Sequence, residues 1–194
     1  GQFGDVVINF EPCDSEQVVF EEKVFGGSVP KNFFPAVEKG LREACVHGPL
    51  AGYPVVNLKA VLYDGSYHPV DSSEIAFKTA ANLAYKAAMP EASPVLLEPV
   101  CELKVTVPDQ YMGDILGDLN KRRGRVMGMN PTGDGETVLE AEVPMAEMMS
   151  YAIDLRSMTQ SRGTFTFNFV RYEDCPAAAQ EKAIAEAKAL ADAE

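Results

Sequence analysis

Polar and apolar residues alternate from Asp5 to Glu11, which places Val6, Ile8 and Phe10 on one face, the period-two mark of a half-buried strand. Val18 to Val24 reads as a second strand, broken by Gly26-Gly27-Ser28-Val29-Pro30. A helical stripe follows over about Asn32 to Val46, with Phe34, Val37, Leu41 and Cys45 on one side. Pro35 suits its first turn, and Gly48-Pro49 ends it. Val55 to Tyr63 is a long apolar strand, and Asp64-Gly65 starts a loop. Asp71-Ser72-Ser73-Glu74 has the form of a capping box, so Asp71 is the expected N-cap. The helix behind it carries Ala76, Ala80, Leu83, Ala84 and Ala87 on one side and ends at Pro90. This first unit reads β-β-α-β-α.

Pro94 and Pro99 bracket a short apolar connector, Val95 to Glu98, which predicts two coupled units. In the second, Cys101, Leu103, Val105 and Val107 alternate with polar residues. Met112, Ile115, Leu116 and Leu119 follow helical spacing. Lys121, Arg122 and Arg123 fill the last turn before Gly124. Arg125–Met129 and Thr137–Val143 are strands around Asn130 to Gly135. Pro144 opens a helix carrying Met145, Met148, Met149, Ala152 and Leu155, and Phe165, Phe167 and Phe169 alternate in a final strand. The order β-α-β-β-α-β is the split, ferredoxin-like arrangement. From Pro176 the chain is rich in Ala, Glu and Lys and reads as a solvated helix or disorder.

Composition narrows the possibilities. The 194 residues exceed one usual domain, and a 46% hydrophobic fraction with 24% charge is ordinary for a soluble globular protein. No apolar run spans a membrane, and no basic and apolar leader opens the chain, so a reducing cytoplasm is the default. The start at Gly1 suggests an excised or processed piece. Cys13, Cys45, Cys101 and Cys175 are widely spaced, and with only His47 and His68 beside them neither a zinc site nor a disulfide framework is expected. The net charge of −12 speaks against nucleic acid, unless local basic clusters make the contact.

No phosphate-binding loop and no dinucleotide fingerprint is present. Ser66, His68 and Asp71 co-occur on one short loop without a nucleophile elbow, which gives no reason to expect a hydrolase. Tyr67 and His68 are polar aromatics on a Gly-rich loop, able to stack on bases or reach phosphates, or simply to pack at home. Lys121-Arg122-Arg123-Gly124-Arg125 is the densest basic run. Its cations suit a helix C-terminus, and its Arg forks suit phosphate. Met145, Met148 and Met149 read as packing residues, in a core or a domain interface.

Several further segments resemble bacterial elongation factor G, in collinear order over residues 1 to about 173. They are Gly1-Gln-Phe-Gly-Asp-Val-Val-Ile8, Gly26-Gly-Ser-Val-Pro30, Pro35-Ala-Val-Glu-Lys-Gly40, Gly48-Pro-Leu-Ala-Gly-Tyr-Pro-Val55, Gly65-Ser-Tyr-His68, Val70-Asp-Ser-Ser-Glu74 and Pro94-Val-Leu-Leu-Glu-Pro99. Gly113-Asp-Ile-Leu-Gly-Asp-Leu119, Arg122-Arg-Gly124, Ala141-Glu-Val-Pro144 and Leu155-Arg-Ser157 continue the likeness. The resemblance implies an α+β protein. Residues 1–93 would form the fourth domain, a ribosomal-protein-like β-α-β fold. Residues 94–173 would form the ferredoxin-like fifth, with an acidic Ala-rich tail over 174–194.

The same likeness implies a piece of a translational GTPase that moves tRNA and mRNA through the ribosome. GTP and magnesium would be held by an upstream domain, and no cofactor or catalytic residue is expected here. The tip loops Gly26, Gly27, Ser28 and Ser66, Tyr67, His68 would meet tRNA and mRNA at the decoding centre. Lys121, Arg122, Arg123 and Arg125 would meet ribosomal RNA. The piece is expected to be monomeric, with no membrane partner. Pro69 stands where common members carry Asp, and Ser28 where they carry an aliphatic. These departures leave open a recycling or ribosomal-protection paralogue, although the retained Ser66-Tyr67-His68 leans towards a translocase. A ferredoxin-like small-molecule enzyme or sensor is the reading of a different class; it requires a pocket with converging polar groups.

Overall fold

The computed structural model describes all 194 residues. The chain divides into two compact units, Gly1–Val95 with Ala177–Glu194, and Leu96–Pro176. No helix is long and apolar enough to cross a membrane. Acidic residues outnumber basic ones within each unit, so the negative charge is not a property of the tail.

The first unit runs β1 (Asp5–Pro12), β2 (Val19–Glu22), α1 (Phe34–Ala44), β3 (Leu58–Ser66) and α2 (Glu74–Ala88). Its three-stranded sheet has the order β1-β3-β2, with β1 antiparallel and β2 parallel to β3. The half-buried Val6, Ile8 and Phe10 pack on a core built from Val37, Leu41, Ala60, Leu62, Phe77 and Ala81. Phe33 stacks on Phe77 with ring centroids 4.6 Å apart.

Two expectations are corrected in this unit. The N-cap of α2 is Ser73, whose Oγ accepts from the Ala76 N–H at 3.1 Å. Asp71 lies two residues too early, and its carbonyl instead accepts the Phe3 N–H at 2.8 Å. The buried stripe of α2 is Ala76, Phe77, Ala81 and Tyr85, while Leu83 faces outward. An alanine-rich helix offers several plausible faces, and the aromatic pair settles which one turns in.

The second unit runs β4 (Leu97–Pro108), α3 (Met112–Lys121), β5 (Arg125–Pro131), β6 (Glu136–Pro144), α4 (Tyr151–Thr159) and β7 (Thr164–Asp174). Its sheet has the order β5-β6-β4-β7 with every pair antiparallel, as the ferredoxin-like reading requires. Leu103, Val105 and Val107 of β4 are fully buried beneath Ile115, Leu119 and Leu155 of the helices. Leu97 and Glu98, expected in the connector, belong to β4 and pair with Asp174 and Glu173. The methionines divide: Met148 is buried, whereas Met149 is 95% exposed because residues 145–147 form a separate 3-10 turn and α4 starts only at Tyr151.

The segment after Pro176 is a helix, α5 (Ala177–Asp192). Ala179, Gln180, Ala183, Ile184 and Ala187 make a half-buried stripe along it, and none of its residues is fully buried. The four cysteines are free thiols.

Candidate nucleic-acid interface

The parallel pairing of β2 and β3 puts their C-terminal ends at one end of the sheet, and the antiparallel β1 starts there, with Asp5 opposite Ser66. The expected tip loops leave from this end and meet. A Cβ on Gly65 would lie 2.2 Å from the Asp5 carbonyl oxygen and 2.7 Å from Val29 Cγ2, so only glycine allows the three segments to close up. Val29 is buried and fixes the far side of the Gly26-Gly27-Ser28 loop. The Asp64 carboxyl is held below the usual carboxylate range, chiefly by the Gly65 N–H and then by the neighbouring Ser28 hydroxyl. That hydroxyl is itself buried and falls short of a well-formed hydrogen bond. Ser66 Oγ turns inward and donates to Asp5 at 2.8 Å.

Tyr67 and the His68 side chain are about half exposed, on a turn that is internally braced. The His68 N–H donates to Ser72 Oγ at 2.8 Å, and that hydroxyl donates to the Phe3 carbonyl at 2.9 Å. The Val70 and Asp71 N–H groups both donate to His68 Nδ1, at 3.2 and 3.1 Å. An Nδ1 that accepts two hydrogen bonds carries a lone pair, so the neutral ring bears its proton on Nε2. His68 is thereby set up as a hydrogen-bond donor of fixed direction, which suits a phosphate or ribose oxygen.

The basic cluster in the second unit is differently disposed from what its density suggests. Arg122 is 9% exposed. Its guanidinium donates to Asp118 at 2.8 Å, to Asp154 at 2.5 Å and to the Glu147 carbonyl at 2.6 Å, and lies 4.9 Å over the Tyr151 ring. Burial alone would lower its pKa, but the two carboxylates outweigh that and raise it. Arg123 makes a two-pronged pair with Glu98, at 2.8 and 2.9 Å, and reaches Glu147 at 3.3 Å. Glu98 is the main cause of its raised pKa. Arg125 donates to Glu142 at 2.6 Å, a carboxylate that Arg171 also holds. Glu142 is pulled below the usual range by Arg171 first and Arg125 second. The forks a phosphate would need are therefore occupied by carboxylates, and Lys121 is the member of the cluster left without an ion pair.

Three residues escape the sequence reading. Phe25, beside Gly26, is 93% exposed. Lys23 and Lys31 flank the same loop, are exposed, and have no ion-pair partner. A lone aromatic next to Gly-Gly, bracketed by lysines, is the available signal.

One hollow, of about 310 Å³, lies against the second unit's sheet and is lined by Glu102, Met127, Glu140, Glu142 and Val170. Its Glu142 is already paired with two arginines. Another, of about 410 Å³, is lined by Glu43, His47, Tyr85, Lys86 and Met89. In it, the Tyr85 hydroxyl donates to the His47 carbonyl and Lys86 lies beside it. Neither hollow joins a nucleophile to a base.

Residues 1–93 match the family model "Elongation factor G, domain IV", and residues 95–183 match "Elongation factor G C-terminus". The crystal structure of a protein from Thermus thermophilus is 44% identical and superposes with a TM-score of 0.85 over 97% of this chain. This chain spans 28% of the length of that one. Two modules of one factor thus follow each other in order along the chain, and the chain belongs to the elongation factor G family.

Proposed function

We propose that this chain is the ribosome- and RNA-docking part of a translational GTPase that promotes tRNA–mRNA translocation. Its modules are non-catalytic parts of an elongation factor, and its role is accordingly in translation. The observation that carries the finer reading is the braced tip of the first unit, where His68 presents a fixed Nε2–H donor beside a half-exposed Tyr67. Tip contacts with tRNA and mRNA at the decoding centre would be made by Tyr67 and His68. Gly26, Gly27, Ser28 and Ser66 would set the backbone that holds them.

In the second unit the contact with ribosomal RNA falls chiefly to Lys121. Arg122, Arg123 and Arg125 hold the surface that presents it. No phosphate-binding loop lies in these residues, so GTP and magnesium belong elsewhere in the parent protein, in the cytoplasm where translation runs. Within the family, the Ser66-Tyr67-His68 tip supports the translocase reading over a recycling or protection paralogue.

The test is co-sedimentation with purified bacterial ribosomes over a salt series. Binding should weaken with salt and fall in His68→Ala. Lys121→Ala should flatten the logarithmic salt slope by roughly 0.7–0.9, the change for one lost phosphate contact. Binding that is insensitive to salt and to both substitutions refutes the proposal.

A further inference from the structure

We infer that Phe25 is a base-stacking residue, which takes the face of an unpaired RNA base while Lys23 and Lys31 take the flanking phosphates. The inference rests on the docking function proposed above and assigns it a side-chain contact at the Gly26-Gly27-Ser28 loop, whose glycines and serine supply only backbone there. Phe25 is 93% exposed, so its ring contributes almost nothing to the core. The backbone around it is nevertheless well held. Val24 packs on the core, its N–H donates to Glu22 at 3.1 Å, the Lys23 N–H donates to the Leu62 carbonyl at 2.7 Å, and Val29 is 1% exposed.

Between these anchors, Gly26 and Gly27 both adopt φ of +70°, and a Cβ at either would meet nothing within 4 Å. The ring is thus offered on a fixed base, beside open space that lets a flat partner approach. A protein pocket would be matched by further apolar side chains around the ring, but the residues that follow are Gly26, Gly27 and Ser28, and Ser28 Oγ is buried.

Two cations free of ion pairs, Lys23 and Lys31, flank this loop despite the acidic chain. Glu22 accepts the Val24 N–H, Asp5 accepts Ser66 Oγ, and Asp64 accepts the Gly65 N–H; these exposed carboxylates keep their charge but are oriented by the fold and pair with neither lysine. An aromatic face with flanking cations and no edge-reading groups is the sequence-tolerant mode of single-strand recognition.

The experiment compares Phe25→Ala, Phe25→Leu and Phe25→Tyr with the parent chain. Each is measured for ribosome affinity by co-sedimentation, and for quenching of 2-aminopurine placed in the bulge of an RNA hairpin. Thermal melting of each variant should match the parent, since the ring is outside the core. Stacking predicts that Ala and Leu weaken ribosome binding by about 5- to 100-fold and abolish quenching, while Tyr keeps both. Leu binding as well as Phe overturns the inference in favour of an apolar pocket. Unchanged binding in Phe25→Ala, or no quenching by the parent chain, also overturns it; if salt-sensitive ribosome binding persists, the docking function stands. If the parent chain does not sediment with ribosomes even at low salt, the docking function fails and this inference falls with it.

Discussion

Replacing Arg122 by alanine should destabilise the second unit and leave RNA docking nearly intact. The side chain ties Asp118 of α3 and Asp154 of α4 to the Glu147 carbonyl through three donors at 2.8, 2.5 and 2.6 Å, over the face of Tyr151. Hydrogen bonds to charged groups contribute about 1.5–3 kcal/mol each, and removing one partner strands the other. Asp154 keeps much of its water, so the cost comes mainly from Asp118 and the carbonyl. A loss of about 2–4 kcal/mol follows, and for a unit of this size that lowers Tm by roughly 10–25 °C. Arg122→Lys should recover only part of this, because an ammonium cannot reach three acceptors in one plane. Differential scanning calorimetry reads the Tm, and tyrosine fluorescence follows the unfolding of both units, since the chain has seven tyrosines and no tryptophan. Ribosome affinity is then measured well below the variant's transition. A Tm within about 2 °C of the parent, together with a clear loss of affinity, would refute the reasoning and return Arg122 to the RNA-contacting surface.

Gly65→Ala should destabilise the first unit by about 2 kcal/mol or more, since its Cβ would press on backbone 2.2 Å away; an unchanged urea midpoint would contradict the close packing of the tip. Nitrogen-15 NMR above the titration range of imidazole should report protonated Nε2 and bare Nδ1 at His68, and the opposite tautomer would remove the fixed-donor argument. Burial pushes the Cys45 thiol up to about 11 from its ordinary 9.0. The native state therefore keeps a proton that the unfolded chain has lost, and stability should fall by roughly 2–3 kcal/mol as pH rises from about 9 to about 11. Cys45→Ala should make that decline shallower, leaving the part due to Cys101 and Cys175, which burial also pushes up, and a later one from Tyr85, which is raised to about 12; equal alkaline slopes in both proteins would contradict it.

The strand and helix order of both units is legible in the sequence because each element carries its own period. The alternation of Cys101, Leu103, Val105 and Val107 and the spacing of Ile115 and Leu119 encode which side faces inward, and the fold places these residues there. What escapes a linear reading is pairing across distance. Nothing near Arg123 announces Glu98, twenty-five positions away, or ties Arg122 to Asp154 thirty-two away, so a basic run with a phosphate-binding look is an internal ion-pair network. The N-cap of α2 eludes it for a related reason. Asp71 and Ser73 are equally good caps locally, and the demand of Phe3 for an acceptor decides between them. At the tip, the loops can be picked out from glycine and polar aromatics, whereas the tautomer of His68 depends on three-dimensional hydrogen bonding alone.

The two unpaired lysines beside Phe25 sit in a chain with a net charge of −12, and this has a kinetic consequence. At low salt, where the Debye length is about 30 Å, an approaching polyanion feels the whole molecule and is repelled; at physiological salt, with about 8 Å, it feels little but the surface it nears. At that range Lys23 and Lys31, exposed and free of ion pairs, act on it directly, beside the exposed carboxylates of Glu22 and Asp5. Random collisions with RNA should therefore be short-lived, and residence should be long only where the surface matches the tip. The acidic body then acts as a filter on encounters, and the association rate should rise with added salt even as the final complex weakens.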